Sequence, residues 1–288
     1  MKQQHTFVYI VFICLSLNYS YGQWTKPKGK GYYKLSAWYL KTDQHFTDTG
    51  NIDPNATRTY FNTNFFGEYG ITDKFNVMAY VPFFARTAQN AIVSGTTGEV
   101  IRPGEAVNSI GDIDIGFIYR LWSQKSWSLS ATLKLGLPTG EDAGGTDGSF
   151  QTGDGEFNQL LQLNIGTSFK IGNLNSYGKV YAGFNNRTNG FSDEFKTGAE
   201  IGSNIIKQKL WLIVKTDLNS SLRNGTRSAE NAQGNIFANN VEYLNLGGEL
   251  AYYISNKVGI SFNYTSALFG RIIAANPSIT GGVFLVVR

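Results

Sequence analysis

The sequence offers few residues from which a metal centre or a thiol-based active site could be built. Its 288 residues include two histidines and one cysteine, whereas structural zinc sites use four Cys or His ligands. Charged residues make up only 16% of the chain, less than the ~25% of an average soluble domain. The formal net charge is +4 and the basic residues form no cluster, which argues against a nucleic-acid partner. We therefore expect no metal, no other cofactor and no nucleic acid.

The longest apolar run of the sequence lies at the N-terminus. Residues 7–17 are almost entirely apolar, and small residues follow them up to Gly22. A charged start, an apolar stretch and small residues at its end are typical of a secretory signal peptide. We predict that residues 1–22 are a signal peptide, removed together with Cys14 by cleavage before Gln23. An uncleaved anchor is the alternative, but about 11 apolar residues are too few to span a bilayer.

The rest of the chain has no run of 18 apolar residues, and alternation takes its place. In residues 127–137 every odd position is apolar and every even position is polar or Gly. Successive side chains of a β-strand point to opposite faces, so this pattern indicates a strand with one apolar and one polar face. The alternation recurs at 113–117, 161–165 and 258–264. Barrel strands cross a membrane with only about 9–11 such residues, so a membrane protein remains possible without an apolar helix.

Residues 23–288 form one predicted domain of twelve strands whose connections alternate between short and long. The predicted strands are 31–41, 57–71, 75–86, 109–122, 127–138, 159–171, 176–186, 194–205, 209–221, 241–254, 258–267 and 278–287. The predicted long connections are 42–56, 87–108, 139–158, 187–193, 222–240 and 268–277. Strict alternation places all the short turns at one end and all the long loops at the other, as in outer-membrane barrels.

This organisation predicts an all-β fold, an antiparallel transmembrane β-barrel of about twelve strands with short periplasmic turns and long extracellular loops. Such barrels carry two belts of aromatic side chains at the water–lipid boundaries. The belt candidates are Tyr60, Phe61, Tyr69, Phe75, Phe83, Phe84, Tyr119, Trp122, Trp127, Phe184, Phe195, Trp211, Tyr252 and Tyr253. A soluble secreted β-sandwich or lipocalin-like barrel has the same alternation and is the alternative architecture.

If the apolar face meets outer-membrane lipid, the polar face lines the barrel interior. Arg or Lys on the lipid side would cost about 2–4 kcal/mol at the midplane, which favours inward positions. The lumen-lining candidates are Lys34, Glu68, Asp112, Asp114, Arg120, Lys134, Lys170, Lys179, Lys196, Glu200, Lys215, Asp217 and Glu249. Their near balance of charge predicts a salt-bridged interior, and the alternative is a narrow polar pore or binding cavity. The inward aromatic candidates are Tyr32, Trp38, Tyr80, Tyr177, Tyr181 and Tyr243.

Two further features have the chemistry of other functions. Residues 138–156 combine carboxylates with flexible glycines, and oxygen ligands suit calcium, but the spacing of known calcium loops is absent. We interpret this segment as a mobile extracellular loop, with calcium binding as the alternative. His45 is the sole histidine after the predicted signal peptide, and the chain has no G-x-S-x-G motif. We therefore predict that the protein is not an enzyme.

Several motifs resemble those of a known family. Residues 111–121 contain a Gly-Asp-x-x-x-Gly-x-x-Tyr-Arg strand, 133–140 contain Gly-x-Pro-Thr-Gly, and 152–155 read Thr-Gly-Asp-Gly. With the earlier segments 67–73 and 81–83, they resemble the outer-membrane family named for the meta-pathway of phenol degradation. The resemblance implies a transporter-like β-barrel, distantly similar to fatty-acid and toluene channels, that helps small hydrophobic or aromatic compounds cross the outer membrane.

The leading hypothesis is thus an outer-membrane barrel that passes or binds small, hydrophobic or aromatic solutes without covalent chemistry. The alternative is a structural or surface-interaction barrel with a packed lumen that acts through its long loops.

Overall fold

The computed structural model describes residues 25–228 and 234–288. The predicted signal peptide, with Cys14 and the cleavage site before Gln23, lies outside the described residues. Within them, no helix is long and apolar enough to cross a membrane.

The described chain is built from β-strands. In chain order they are β1 (Gly31–Phe46), β2 (Ile52–Gly70), β3 (Phe75–Gln89), β4 (Ile92–Val93), β5 (Val100–Arg102), β6 (Glu105–Ser109), β7 (Ile113–Gln124), β8 (Trp127–Leu137), β9 (Asn158–Ile171), β10 (Leu174–Asn186), β11 (Glu194–Ile206), β12 (Leu210–Ser221), β13 (Glu242–Tyr253), β14 (Val258–Arg271), β15 (Ile273–Ala274) and β16 (Ser278–Val287).

Twelve of these strands form a closed antiparallel barrel. Each barrel strand pairs with the next along the chain, and the short strands β4, β5, β6 and β15 lie in the connections. The barrel closes through β1, where Gly31 lies opposite Tyr69 of β2 on one side and opposite Val287 of β16 on the other. A closed sheet has no free edge, so its backbone hydrogen bonds are made within the wall. The predicted twelve-stranded antiparallel barrel is confirmed.

The connections define two ends of the barrel. The turn end comprises 71–74, 125–126, 172–173, 207–209 and 254–257. The loop end comprises 47–51, 90–112, 138–157, 187–193, 222–241 and 272–277. With an even number of barrel strands, the described chain enters β1 and leaves β16 at the turn end.

Three predicted long connections contain strands, so their predicted bounds are wrong; in 268–277 these strands are the end of β14, up to Arg271, and β15. Pairing of β1 with β2 continues up to Phe46 opposite Ile52, which leaves only 47–51 as the connection. The second predicted loop contains the end of β3, the β4–β5 hairpin and β6, which pairs with β3. These extensions carry polar residues on both faces, because both faces lie beyond the apolar wall. The alternation used to find strands is therefore missing there.

The barrel wall is apolar outside and polar inside. Leu161, Leu163 and Phe262 point outward and are 59%, 52% and 52% exposed. Among the described residues, buried polar side chains outnumber buried hydrophobic ones. A soluble sandwich or lipocalin-like barrel would bury its apolar face, so that alternative architecture is wrong. An exposed apolar wall of this extent is the surface that a membrane barrel presents to lipid.

Exposed aromatic side chains lie near both ends of the wall. At the turn end, Tyr119, Trp122 and Trp127 are exposed, and at the loop end Phe83 and Phe184 are exposed. Their positions agree with the predicted belts of rings at two water–lipid boundaries.

Three belt candidates point into the barrel instead. Tyr60 is 2% exposed, and Trp211 and Tyr253 border an interior cavity. The reason is the alternation itself: of two consecutive residues only one faces lipid. In the pair Tyr252–Tyr253, the first side chain is exposed and the second points inward.

Candidate functional site

A large cavity occupies the barrel interior on the turn side. Its volume is about 1630 Å³, and it is lined by side chains from strands all around the barrel. The lining includes the exposed residues Lys125, Gln208 and Asn256 of the turn-end connections, so the cavity reaches the turn end. Pockets for small molecules usually measure roughly 300–1,000 Å³. The cavity therefore has room for a small solute and water together.

Aromatic rings form part of the cavity wall. The ring of Phe284 lies 5.8 Å from that of Tyr32 and 5.0 Å from that of Tyr253, centroid to centroid. The rings of Tyr177 in β10 and Trp211 in β12 are 5.7 Å apart. All five rings border the cavity. They give a polar lumen local surfaces on which an apolar or aromatic group can pack.

On the inner face of the wall, positively and negatively charged side chains alternate from strand to strand. Lys34 Nζ lies 3.2 Å from Glu249 Oε1, and Lys215 contacts the other oxygen of the same carboxylate. Glu200 lies directly opposite Lys215 in the β11–β12 pairing, and its carboxylate lies 3.9 Å from Lys179 Nζ. We call these five residues the ionic ladder. The ladder ties β1 to β10, β11, β12 and β13 through the lumen.

Two glycines of β11 make room for tyrosines that lie against the wall. A Cβ atom on Gly202 would come within 2.3 Å of the Tyr177 ring, and one on Gly198 within 2.6 Å of the Tyr181 ring. With this room, the Tyr177 hydroxyl donates a 2.5 Å hydrogen bond to Glu200. Larger residues at the two glycine positions would push the rings into the cavity.

The loop end is closed by segments that fold into the barrel mouth. We call residues 150–152 and 234–241 the loop plug. The Tyr60 hydroxyl of β2 donates a 3.2 Å hydrogen bond to the Gly234 carbonyl. The Thr87 hydroxyl of β3 donates to the Gln151 carbonyl at 2.5 Å, and the Asn235 amide donates to the Gln151 side chain. Because β2 lies four strands from β13 around the barrel, the 234–241 segment crosses the mouth.

One arginine holds three carboxylates beside the loop plug. Arg187 Nε lies 2.6 Å from Glu156, Nη2 lies 2.8 Å from Asp154, and Nη1 lies 3.1 Å from Glu194. The side chain of Arg187 is 6% exposed and that of Glu156 is 0% exposed. Phe191 packs against the guanidinium at 4.3 Å. This Arg187 cluster joins the β8–β9 and β10–β11 connections.

Burial changes the acidity of this cluster. Burial, together with the nearby Asp112 carboxylate, raises the pKa of Asp154 to about 6 against the opposing effect of Arg187. Burial also raises the pKa of Glu156. The surrounding carboxylates raise the pKa of Arg187 in spite of its burial, so its positive charge is secure. Asp112 itself accepts backbone hydrogen bonds from Gly140 and Asp154 at 2.9 and 2.8 Å.

A smaller cavity lies beneath the loop plug. Its volume is about 420 Å³, and its lining includes Trp38, Tyr80, Asp112, Thr152 and Ile236. Among the described residues, none lines both cavities. The large space thus lies toward the turn end, and the small space lies under the plug.

The lumen-lining candidates distribute over the large cavity and its surroundings. Eight border the large cavity, namely Glu68, Lys134, Lys170, Lys179, Lys196, Glu200, Lys215 and Glu249. Lys34 belongs to the ionic ladder, and Asp114 accepts a 2.9 Å hydrogen bond from Lys134. Asp217 accepts one from the Tyr181 hydroxyl at 2.5 Å, whereas Asp112 borders the small cavity. Arg120 lies opposite Ser130 in the β7–β8 pairing and borders neither cavity.

The inward aromatic candidates divide between the two cavities. Tyr32, Tyr177, Tyr181 and Tyr243 border the large cavity, and Trp38 and Tyr80 border the small one.

Sequence reasoning missed the cavity residues that lie in connections. Lys26 and Lys125 border the large cavity, and Arg187 organises the loop end, yet all three lie outside the alternating strands. The lining of the large cavity includes seven lysines and three glutamates, which is more basic than the near balance expected. A count of lysines near predicted turns would have found part of this excess.

The predicted mobile loop is fixed by ion pairs and burial. Within residues 138–156, Asp154 and Glu156 bind Arg187, and Phe150 is 0% exposed. Among the described residues, no group of three or more His, Cys, Asp or Glu side chains is arranged to hold a metal ion. The calcium alternative thus finds no support. His45 lies in β1 at the loop end, opposite Ala274 of β15, and is 4% exposed.

Comparison with known sequences identifies no family. No protein-family model matches the chain, and no curated protein matches it in sequence. The resemblance to the phenol meta-pathway family therefore stays a prediction.

Solved structures of outer-membrane barrels do match the fold. The COG4313 outer membrane channel from Pseudomonas putida F1 matches with a TM-score of 0.61 at 14% identity, over 91% of this chain and 97% of the channel. The KdgM porin in complex with disordered oligogalacturonate reaches 0.49 at 6% identity, over 88% of this chain and 98% of the porin. The β domain of the Bordetella autotransporter BrkA reaches 0.48 at 12% identity, with the same coverage. At such identities the likeness to the Pseudomonas channel shows a shared fold.

Proposed function

We propose that this chain is an outer-membrane barrel, exported by residues 1–22 as its signal peptide, that provides a path for small solutes. The observation that carries the proposal is the cavity of about 1630 Å³ that reaches the turn end. A barrel with a purely structural role is expected to fill its interior with side chains, as eight-stranded barrels do. The fold shared with an outer membrane channel supports the same interpretation.

The proposed solutes are small and carry hydrophobic or aromatic groups. The aromatic pairs formed by Phe284 with Tyr32 and by Tyr177 with Trp211 provide apolar contact surface inside a polar lumen. Passage requires binding that is weak enough to reverse, and scattered ring surfaces in a wide cavity meet this condition. The resemblance of the 111–155 motifs to the phenol meta-pathway family points to the same solutes. The path as proposed involves no covalent chemistry.

A surface-interaction barrel is the second candidate, and the loop plug favours it. Residues 150–152 and 234–241 close the loop end through hydrogen bonds to β2 and β3. If the plug never opens, solutes cannot pass, and the long connections become the functional surface. Passage therefore requires that the plug open or leave a route around its edge.

Conductance of the mature chain, residues 23–288, in planar lipid bilayers tests the proposal. We expect discrete openings, and we expect Lys134→Gln and Glu200→Gln to change the ion selectivity, because both side chains border the cavity. Glu99→Gln is the matched control, since Glu99 is exposed in the β4–β5 connection.

The opposite outcome identifies the second candidate. If the barrel inserts but remains silent and aromatic solutes do not enter protein-containing liposomes, the passage proposal fails. Variants that alter stability but no transport property would also support a closed, structural lumen.

A further inference from the structure

The carboxylates that border the large cavity are all occupied by neighbouring donors. Glu68 accepts a 2.7 Å hydrogen bond from Asn76. Glu200 accepts from the Tyr177 hydroxyl, and Glu249 binds two lysines of the ionic ladder. An incoming cation would have to displace these partners before it found a carboxylate.

Three lysines that line the cavity, in contrast, form none of the ion pairs of the described residues. Lys26, Lys125 and Lys170 border the cavity, and none of them takes part in the ion pairs formed among residues 25–228 and 234–288. The deeper Lys134 and Lys196 are instead paired with carboxylates at 2.9 and 3.0 Å. The charge that is left for a ligand is therefore positive and lies at the mouth.

Two of these lysines flank the same part of the mouth. Lys125 lies in the β7–β8 connection, two residues before β8 begins, and Lys170 lies near the end of β9, the barrel neighbour of β8. The Ser126 and Thr167 hydroxyls are 3.1 Å apart, which fixes the two elements side by side. A cleft with like charges on a low-dielectric wall concentrates ions of opposite sign. At physiological salt this attraction acts over about 8 Å.

The third lysine, Lys26, lies beside an aromatic surface of the cavity. Lys26 Nζ lies 5.9 Å from the centre of the Tyr32 ring, and Tyr32 in turn stacks on Phe284. A ligand ring that packs on this pair would place an attached carboxylate within reach of the ammonium group. The site therefore offers two contacts of different kinds to one small molecule.

We propose that the turn-end mouth of the cavity binds small anions that carry an aromatic or apolar body, of which an aromatic carboxylate is the simplest form. The inference rests on the proposed function and names the solute class for the same cavity. It adds a requirement for negative charge, which a purely hydrophobic site would not impose. Among three solutes that share the same ring system and differ in charge, we expect the anion to bind most tightly and the cation least tightly.

Binding of three matched probes tests the charge requirement. The protein in zwitterionic phosphatidylcholine nanodiscs is titrated with 2-naphthoate, 2-naphthylmethanol and 2-naphthylmethylammonium, and binding to empty nanodiscs is subtracted. We expect 2-naphthoate to bind most tightly. In the Lys125→Gln/Lys170→Gln variant its dissociation constant should rise about fivefold, the effect of losing roughly 1 kcal/mol of exposed charge pairing. Binding of the neutral probe should not change.

The chain supplies a matched control for the variant. Lys74→Gln/Lys207→Gln removes two lysines of the turn end that do not border the cavity, and it should leave 2-naphthoate binding unchanged. Equal binding of the three probes, absence of 2-naphthoate binding, or equal losses in both double variants would overturn the inference. If the first variant does not fold, the comparison of the three probes on the unaltered protein still decides.

The outcome is separate from that of the passage experiment. Openings in the bilayer without a preference for the anion would leave the passage proposal standing and remove this inference. Tight 2-naphthoate binding in a barrel that stays silent and admits no solute would do the reverse.

Discussion

The two ends of the barrel use different cations. In the turn-end connections every cation is a lysine, and Asp73 is the one acidic residue among them. In the loop-end connections every cation is an arginine, and acidic residues outnumber the arginines. Arginine presents a planar fork that holds several carboxylates, whereas lysine is a compact and strongly hydrated charge. The loop end thus suits buried ion pairs, and the turn end keeps its charges in water.

This difference accounts for one closed mouth and one open mouth. At the loop end, Arg187 of the β10–β11 connection binds two carboxylates of the β8–β9 connection and one at the start of β11, so that these connections can fold inward without leaving a buried charge unpaired. At the turn end, Lys125 is exposed and adjoins a cavity. Like charges around that mouth repel one another and do not draw the turns across it.

The largest effect should follow from removing the central arginine. Arg187→Ala leaves three buried carboxylates without their shared cation, so we expect the free energy of unfolding to fall by about 3–5 kcal/mol. Urea unfolding of the lipid-reconstituted protein measures the change, and single-channel recording should show larger openings as the plug loosens.

Arg102→Ala is the matched control for that variant. Arg102 binds Asp147 at 2.6 Å, but its side chain is 35% exposed, so the loss should be at most about 1 kcal/mol. Equal losses in the two variants would mean that burial does not distinguish the Arg187 cluster from surface pairs at the loop end.

A smaller loss of stability is expected when a shared ion-pair partner is removed from the turn side of the lumen. Glu249→Gln removes the carboxylate shared by Lys34 and Lys215. The freed Lys215 ammonium group borders the large cavity and can be hydrated there, so we expect a loss of about 2 kcal/mol, less than for Arg187→Ala. The same urea titration measures it. A loss as large as that of Arg187→Ala would contradict the view that water reaches the ionic ladder.

Acidification should stabilise the loop end by a still smaller amount. Burial raises the pKa of Asp154 to about 6, so the folded protein holds this proton more tightly than the unfolded chain does. The resulting stabilisation is complete below about pH 4 and is lost as the pH rises through 6. Between pH 5 and pH 7 it changes by about 1 kcal/mol.

The Asp154→Asn variant isolates this contribution. Subtracting its pH profile of unfolding free energy from that of the unaltered protein cancels the other carboxylates. A difference profile that is flat between pH 5 and pH 7, or one that rises with pH, would show that folding does not raise the pKa of the Asp154 carboxyl.

The smallest effect should come from the exposed lysines of the turns. Lys257→Gln removes an exposed charge in the β13–β14 connection, and we expect less than about 0.5 kcal/mol of change in stability. Thermal unfolding of the reconstituted barrel measures the change. A clear gain in stability would show that repulsion among the turn-end lysines strains the fold, which would sharpen the contrast between the ends.

The barrel wall could be predicted from the sequence because each barrel strand has an apolar outer face and a polar inner face. The alternation of residues 127–137 follows directly from these two faces, so the strands and their connections could be located from it. The inward turn of Tyr60, Trp211 and Tyr253 could have been predicted from the same rule applied strictly. Adjacent aromatic residues were instead grouped by their nearness to the connections.

The division of the lumen could not be predicted, because it depends on distant contacts. Tyr60 and Gly234 are 174 residues apart in the chain, and Lys34 and Glu249 are 215 apart. No local sequence pattern predicts contacts between residues so far apart in the chain. The connections also lack alternation, so nothing in residues 150–152 or 234–241 indicates that they fold into the mouth.

Thiol labelling at two inward-facing alanines tests the contrast between the ends most directly. Ala251 borders the large cavity, and Ala85 borders the small one beneath the plug, where it is 7% exposed. In residues 23–288, which contain no cysteine, Ala251→Cys and Ala85→Cys are introduced and reacted in nanodiscs with a charged methanethiosulfonate reagent. We predict that the first reacts at least about tenfold faster, because the second must wait for local opening of the plug. Equal rates would contradict a barrel that is open at the turn end and closed at the loop end.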